Sequence, residues 1–198
     1  MLNYKEPQIK HVEPFIMTIV PDEFYTTAVG AGVTTFNGAG VKNGRVVLNT
    51  GTVANDNAGI WSNIKFKLEA WQKVEFSVKG LKLSHSDPAV LSYFWGLRYD
   101  GSNAIRFNQV ATGQIQAFNR NATDAVTTDL AFDPVLRRNY KIVMTPTKVK
   151  YYINNILVAT HTTYIPPSNL LLQMYILVQT LDTTAKTLEF NEIEFIFE

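Results

Sequence analysis

Cleaving a glycosidic bond takes two carboxylates, one to protonate the leaving oxygen and one to act as base or nucleophile. This chain offers one run of that kind, Glu192-x-Glu194-x-x-x-Glu198, whose even spacing puts three acids on one side of a strand. Ile193, Phe195 and Phe197 alternate with them, so the run reads as the solvent face of an amphipathic closing strand and not as a catalytic pair. His11, His85 and His161 are far apart, and none has a serine or second histidine placed to suggest a triad or a zinc site. The chain has no cysteine, which removes disulfides, thiolate metal sites and cysteine nucleophiles together. Asn55-Asp56-Asn57 and Asp100/Asn103 carry the oxygen ligands that suit a hard cation, and the same residue types close turns with their own hydrogen bonds. Asp56 and Asp100 are therefore the calcium candidates, and no other cofactor is expected.

A better candidate for recognition is a sheet face. Parity along three consecutive strands projects Phe94 and Arg98, Arg106 and Asn108, and Gln116 and Phe118 to one side. An aromatic ring flanked by Arg, Asn and Gln suits a sugar, which needs stacking and planar hydrogen bonds. The alternative is a mixed outer face that contacts another loop or subunit. The stretch Leu170-Leu-Leu-Gln-Met-Tyr-Ile-Leu-Val178 is apolar on both sides: Leu170, Leu172, Met174, Ile176 and Val178 can fill a core, leaving Leu171, Tyr175 and Leu177 outward. Such a strand is either covered on both sides or central in a sheet.

The elements that must position these residues are strands. The 198 residues suit one undivided β domain, and 46% hydrophobic with 18% charged residues is enough to build a core without staples. No segment keeps a helical period, whereas alternation at period two recurs from about residue 38 onward. Asn43-Gly44 predicts a type I′ hairpin turn, and Asp100–Asn103, Ala111–Gly113, Thr145–Lys148 and Asn154-Asn155 predict further reversals in an antiparallel meander. Val74, Phe76 and Val78 share a face, and the pattern slips to Leu81 and Leu83 across Gly80, the mark of a bulge. The predicted core contains Phe76, Trp95, Leu97, Phe107, Ile142, Tyr152, Leu172, Ile193 and Phe195, with Tyr93 and Tyr99 on the same side of their strand as Trp95.

Three stretches resemble the concanavalin A-like lectin/glucanase superfamily. Asn43–Ile60 is similar to its early strand and following loop. Tyr140–Thr160 is similar to its double hairpin, with Met144 where Trp is frequent and Asn154-Asn155 in place of Asp-Gly. Leu188–Phe197 is similar to its closing strand. The resemblance implies an all-β, two-sheet antiparallel jelly-roll sandwich. Glucanases of this superfamily carry Glu-x-Asp-x-x-Glu on one strand, and that motif is absent here.

Residues 1–23, punctuated by Pro7, Pro14 and Pro21, read as an N-terminal arm or edge segment ahead of a single sandwich domain at 24–198. Phe15, Ile16, Met17, Ile19 and Val20 are its apolar contacts, for assembly with another subunit or as an edge strand of its own sheet. The formal net charge of +1 advertises no nucleic acid. No run is long and apolar enough to insert into a membrane, and the first residues lack the pattern of a standard secretion signal. The sequence thus points first to a soluble, non-enzymatic structural or interaction protein, in a virion or the cytoplasm, outside the cell only by a non-standard route, and partnered by other subunits in a homo-oligomer or particle. A carbohydrate-binding module is the alternative, with glycans as the partner, and a glycoside hydrolase comes third.

Overall fold

The computed structural model describes residues 15–19, 33–36, 38–63, 65–109 and 113–198. The strands follow the alternation closely. They are β1 (Phe15–Ile19), β2 (Val33–Phe36), β3 (Ala39–Lys42), β4 (Arg45–Asn49), β5 (Asn57–Ser62), β6 (Val74–Leu83), β7 (Leu91–Arg98), β8 (Ala104–Gln109), β9 (Ile115–Arg120), β10 (Ala125–Leu130), β11 (Arg138–Thr145), β12 (Lys148–Ile153), β13 (Ile156–His161), β14 (Gln173–Thr180), β15 (Thr187–Phe190) and β16 (Glu192–Phe197). They form two antiparallel sheets. One has seven strands in the order β10-β9-β8-β7-β14-β5-β2. The other has nine: β13-β12-β11-β6-β15-β4-β3, with β16 pairing β6 and β1 pairing β16.

The turn chemistry acts as the residue types require. Asn43 and Gly44 both take positive φ, as do Asn154 and Asn155, which closes the β3–β4 and β12–β13 hairpins with twist-matched turns. Gly80 lies at φ +65, and the β6–β11 register shifts there, from Tyr140 opposite Val78 to Arg138 opposite Leu81. This is the expected bulge. The Gly80 amide donates to Asn139 Oδ1 at 2.8 Å. Beyond the bulge β6 exchanges its neighbour β16 for β15, so one strand carries two partners along the same edge.

Between the sheets the inward side chains form one aromatic-rich core. Trp95 stacks on Tyr93 with centroids 5.4 Å apart and meets Tyr140 edge-on at 4.8 Å. Phe107 packs against Tyr140 at 5.1 Å and Tyr151 at 5.2 Å. The Tyr151 hydroxyl crosses from one sheet to the other, donating to the Phe118 carbonyl at 2.8 Å and to Asn119 Oδ1. At the sandwich edge the buried His161 Nε2 shares a 2.9 Å hydrogen bond with Thr128 Oγ1. In the β14–β15 loop the buried Lys186 donates to Asp182 Oδ1 at 2.9 Å and to both oxygens of Thr184.

Eight of the nine expected core residues are buried. Tyr152 is the exception. The β11–β12 hairpin pairs Ile142 with Tyr151 and Lys141 with Tyr152, so Tyr151 goes inward while Tyr152 lies outside, its ring 5.0 Å from Lys141 Nζ. Tyr99 also departs from expectation: β7 ends at Arg98, and Tyr99 is exposed in the following turn.

Phe15–Ile19 is an edge strand of its own sandwich, paired in register from Phe15 opposite Phe197 to Ile19 opposite Ile193. The open backbone of β16 provides the hydrogen bonds such a segment needs. Met17 packs partly into the core and Ile16 is exposed. Residues 1–14 and 20–32, Val20 among them, lie outside the described residues. β14 is a central strand between β7 and β5, which accounts for its apolar character on both sides. Its outward residues belong to the opposite sheet from β1, so this part of the arm does not cover them.

Two outcomes follow from this packing. Trp95→Ala should cost about 3–5 kcal/mol in urea unfolding, because it opens a cavity at the aromatic centre; a loss under about 1 kcal/mol would contradict the inward placement of Trp95. Burial holds the His161 pKa below its ordinary 6.5. The unfolded chain therefore binds this proton more readily than the folded one. The stability linked to His161 is full above about pH 6.5 and falls as pH drops below it. His161→Gln should flatten that part of the unfolding profile between about pH 7.5 and 5, and an unchanged profile would exclude His161 as its source.

Candidate functional face

Because Tyr93, Trp95 and Leu97 go inward, their neighbours on β7 go outward, and strand pairing carries that choice across the sheet. One transverse row runs Thr127, Phe118, Arg106, Gly96, Tyr175, Trp61. The next runs Asp129, Gln116, Asn108, Phe94, Leu177, Gly59. All six residues expected on this face (Phe94, Arg98, Arg106, Asn108, Gln116 and Phe118) are brought together there, on three adjacent strands.

Their side chains interlock. The Arg106 guanidinium lies over the Phe94 ring at 4.4 Å and over the Phe118 ring at 4.8 Å. Phe94 stacks on Tyr175 at 5.1 Å, and Tyr175 stacks on Trp61 at 6.2 Å. Arg98 sits 3.6 Å above the Tyr175 ring. The result is a continuous aromatic and guanidinium surface, with the amides of Asn108 and Gln116 beside it. Gly96 matters because β7 and β8 approach closely there: a side chain would meet the Ile105 carbonyl at 2.4 Å. Next to the row, an open depression of about 450 Å³ is lined by Ser92, Phe94, Arg106, Asn108, Gln109 and residues of the flanking loops.

The electrostatics of this face are one-sided. Arg106 is pushed down to about 10, first by burial and then by the charges of Arg98 and Arg120. Burial raises the Tyr175 hydroxyl, and Arg98 partly offsets it. Asp129, on the edge strand β10, is the one carboxylate at the outward strand positions of this sheet among the described residues. The acids of the closing strand are on the other sheet. Glu192 and Glu194 both pair with Lys79, the latter at 3.2 Å, and Glu198 pairs with Lys73 at 2.7 Å. The Glu192 hydrogen bond leads in raising Lys79, and the Glu198 bond does so for Lys73.

The calcium candidates remain apart. Asp100 Oδ1 accepts from the Ser102 and Asn103 amides at 2.7 and 2.8 Å and so closes its own turn. Burial alone would raise its pKa, but those donors prevail and hold it low. Asp56 accepts from the Val53 amide at 3.3 Å within its loop. No group of three His, Cys, Asp or Glu able to hold a metal occurs among the described residues.

Sequence reasoning missed Trp61, Tyr175 and Arg120 as members of this face. Arg120 was within reach, since it shares the parity of Gln116 and Phe118. Tyr175 was legible as outward, but its partners Arg98 and Trp61 come from other strands. Trp61 sits in an apolar run without alternation and gave no signal.

No protein-family model and no curated protein sequence matches the chain. Solved structures do. The carbohydrate recognition domain of Emp47p superposes with a TM-score of 0.65 at 14% identity, covering 91% of this chain and 94% of that one. A Bacillus licheniformis β-glucanase gives 0.63 at 17% identity, covering 94% and 99%. The Crh5 transglycosylase gives 0.65 at 14% identity, covering 92% and 84%. The fold is the concanavalin A-like jelly roll. At these identities the likeness is one of fold, and that fold carries both lectin domains and carbohydrate-active enzymes. Among the described residues no helix is long and apolar enough to cross a membrane.

A half-buried cation beside two others is a stability liability that a folded chain keeps at its own cost. Arg106→Met keeps a long apolar stem between Phe94 and Phe118 and removes the repulsion. Its thermal midpoint should equal or exceed that of the unaltered protein; a loss above about 2 kcal/mol would mean that the ring contacts outweigh the repulsion.

Proposed function

We propose that this protein binds carbohydrate without cleaving it, through the outward face of its seven-stranded sheet. The observation that carries the reading is the row Phe118, Arg106, Phe94, Tyr175, Trp61, flanked by Asn108 and Gln116. Aromatic faces stack on the C–H faces of a pyranose, while guanidinium and amide groups hydrogen-bond its ring of hydroxyls in the plane. Both retaining and inverting hydrolysis need two carboxylates about the scissile bond. Among the described residues Asp129 is the one carboxylate at the outward strand positions of this face, and the three glutamates of β16 are on the other sheet, two of them paired with Lys79 and the third with Lys73. The similarity in fold to the recognition domain of Emp47p agrees with this reading. The alternative of particle assembly has no comparable support, since the described part of the arm pairs within its own chain.

A glycan array followed by calorimetry tests the proposal. Binding is expected, with Phe94→Ala and Asn108→Ala each weakening it about ten-fold, and no reducing ends should appear on prolonged incubation with the bound glycan. Binding untouched by both substitutions would move the site off this face. Turnover lost in Glu192→Gln or Glu194→Gln would overturn the non-catalytic reading.

A further inference from the structure

Three arginines ring one alanine on this face. Arg98 and Arg120 stand directly across from Ala104, one on each neighbouring strand. Arg106 projects from the same side of β8, two residues further on. With adjacent strands about 4.8 Å apart, the two flanking backbones are about 10 Å apart, within reach of one small anionic group for side chains of this length. Ala104 is buried at the centre and supplies no charge.

These cations lack what many others in the chain have. On the opposite sheet Lys73, Lys79 and Lys141 each pair with a glutamate, and Arg45 and Arg137 share Glu189. Among the described residues no carboxylate lies within ion-pair distance of Arg98, Arg106 or Arg120. Asp100 acts on Arg120 electrostatically, but its Oδ1 is occupied by its own turn. At this cluster Arg106 Nε is a buried donor without an acceptor, and Asn103 Oδ1, beside Ala104, is a buried acceptor without a donor. The charged groups left without a counter-ion here are thus all cations. Arg98 and Arg106 hold their guanidinium carbons over rings, and Arg98 also hydrogen-bonds the Tyr175 hydroxyl; a guanidinium has five N–H donors, so others remain for contact with an oxyanion.

We infer that the carbohydrate taken by this face is an acidic one, its carboxylate or sulfate seated among Arg98, Arg106 and Arg120. The inference rests on the reading of this face as a carbohydrate site and narrows it to uronic acids or sulfated sugars. The sugar ring would lie on the Phe94 and Tyr175 side, and its anionic group over Ala104.

The test uses the full chain and matched probes: oligogalacturonate against its methyl ester, and dextran sulfate against dextran, each titrated at about 50 and about 300 mM salt. At least one charged probe should bind about ten-fold or more tightly than its uncharged counterpart, and the preference should shrink at the higher salt. Arg120 is exposed, so Arg120→Gln should reduce the preference about ten-fold while leaving the melting temperature unchanged; Arg98→Gln should do the same, and the far-UV spectrum checks its fold. If neutral glycans bind through Phe94 and charge adds nothing, this inference fails while the carbohydrate reading stands. If no glycan binds, charged or neutral, the carbohydrate reading itself fails. Polyglutamate binding as tightly as the acidic saccharides would show a general anion surface and overturn the inference.

Discussion

Trp95 meets Tyr140 edge-on at 4.8 Å where the two sheets face each other, and Tyr93, Phe107 and Tyr151 close around that contact. Burying these rings sets the parity of β7, and strand pairing transmits it in both directions across the seven-stranded sheet. Phe94 and Arg98 are outward because Trp95 is inward. Arg106, Phe118, Tyr175 and Trp61 are then outward because they are opposite or in line with those residues. The face proposed to bind a ligand is in this sense the reverse side of the core.

The two outer faces received different electrostatics from the same construction. On the nine-stranded sheet, lysines and glutamates stand across from one another, as Lys79 does from Glu192, and largely satisfy each other. Such exposed pairs contribute little stability individually, but they keep a broad surface close to neutral. On the seven-stranded sheet Arg98 and Arg106 lie over rings instead of carboxylates. That arrangement holds them in place without a carboxylate in ion-pair contact. A chain with a net charge near zero can in this way present a strongly cationic surface.

Single positions shape the frame around both faces. The left-handed Gly80 lets β6 shift register and pass from β16 to β15 without losing its inward residues Val78 and Leu81. Gly96 allows β7 and β8 to come close beside the aromatic row. The bond from Tyr151 to Phe118 ties the inward side of β9 to the facing sheet. The backbone that presents the outward Phe118 ring to Arg106 is thereby anchored from below.

Much of this was legible in the residues themselves. Period-two alternation marked the strands, Asn-Gly and Asn-Asn marked the hairpins, and the slip at Gly80 marked the bulge, because each is a local consequence of backbone conformation. The six-residue face was readable for the same reason: three consecutive hairpin strands share a face once one strand's parity is known. Tyr152 was misplaced although alternation along its own strand distinguishes the two tyrosines: Val149, Tyr151 and Ile153 share the buried side, and Tyr152 shares the outer side with Lys148 and Lys150. The association of Tyr175 and Trp61 with Phe94 joins strands far apart in sequence, so it depended on which strands became neighbours. The same holds for the lack of ion pairs at the arginines and for the pairing of the β16 glutamates with lysines. Charge has meaning only against what folds beside it, and that neighbourhood is set by long-range sheet order, which alternation along one strand does not encode.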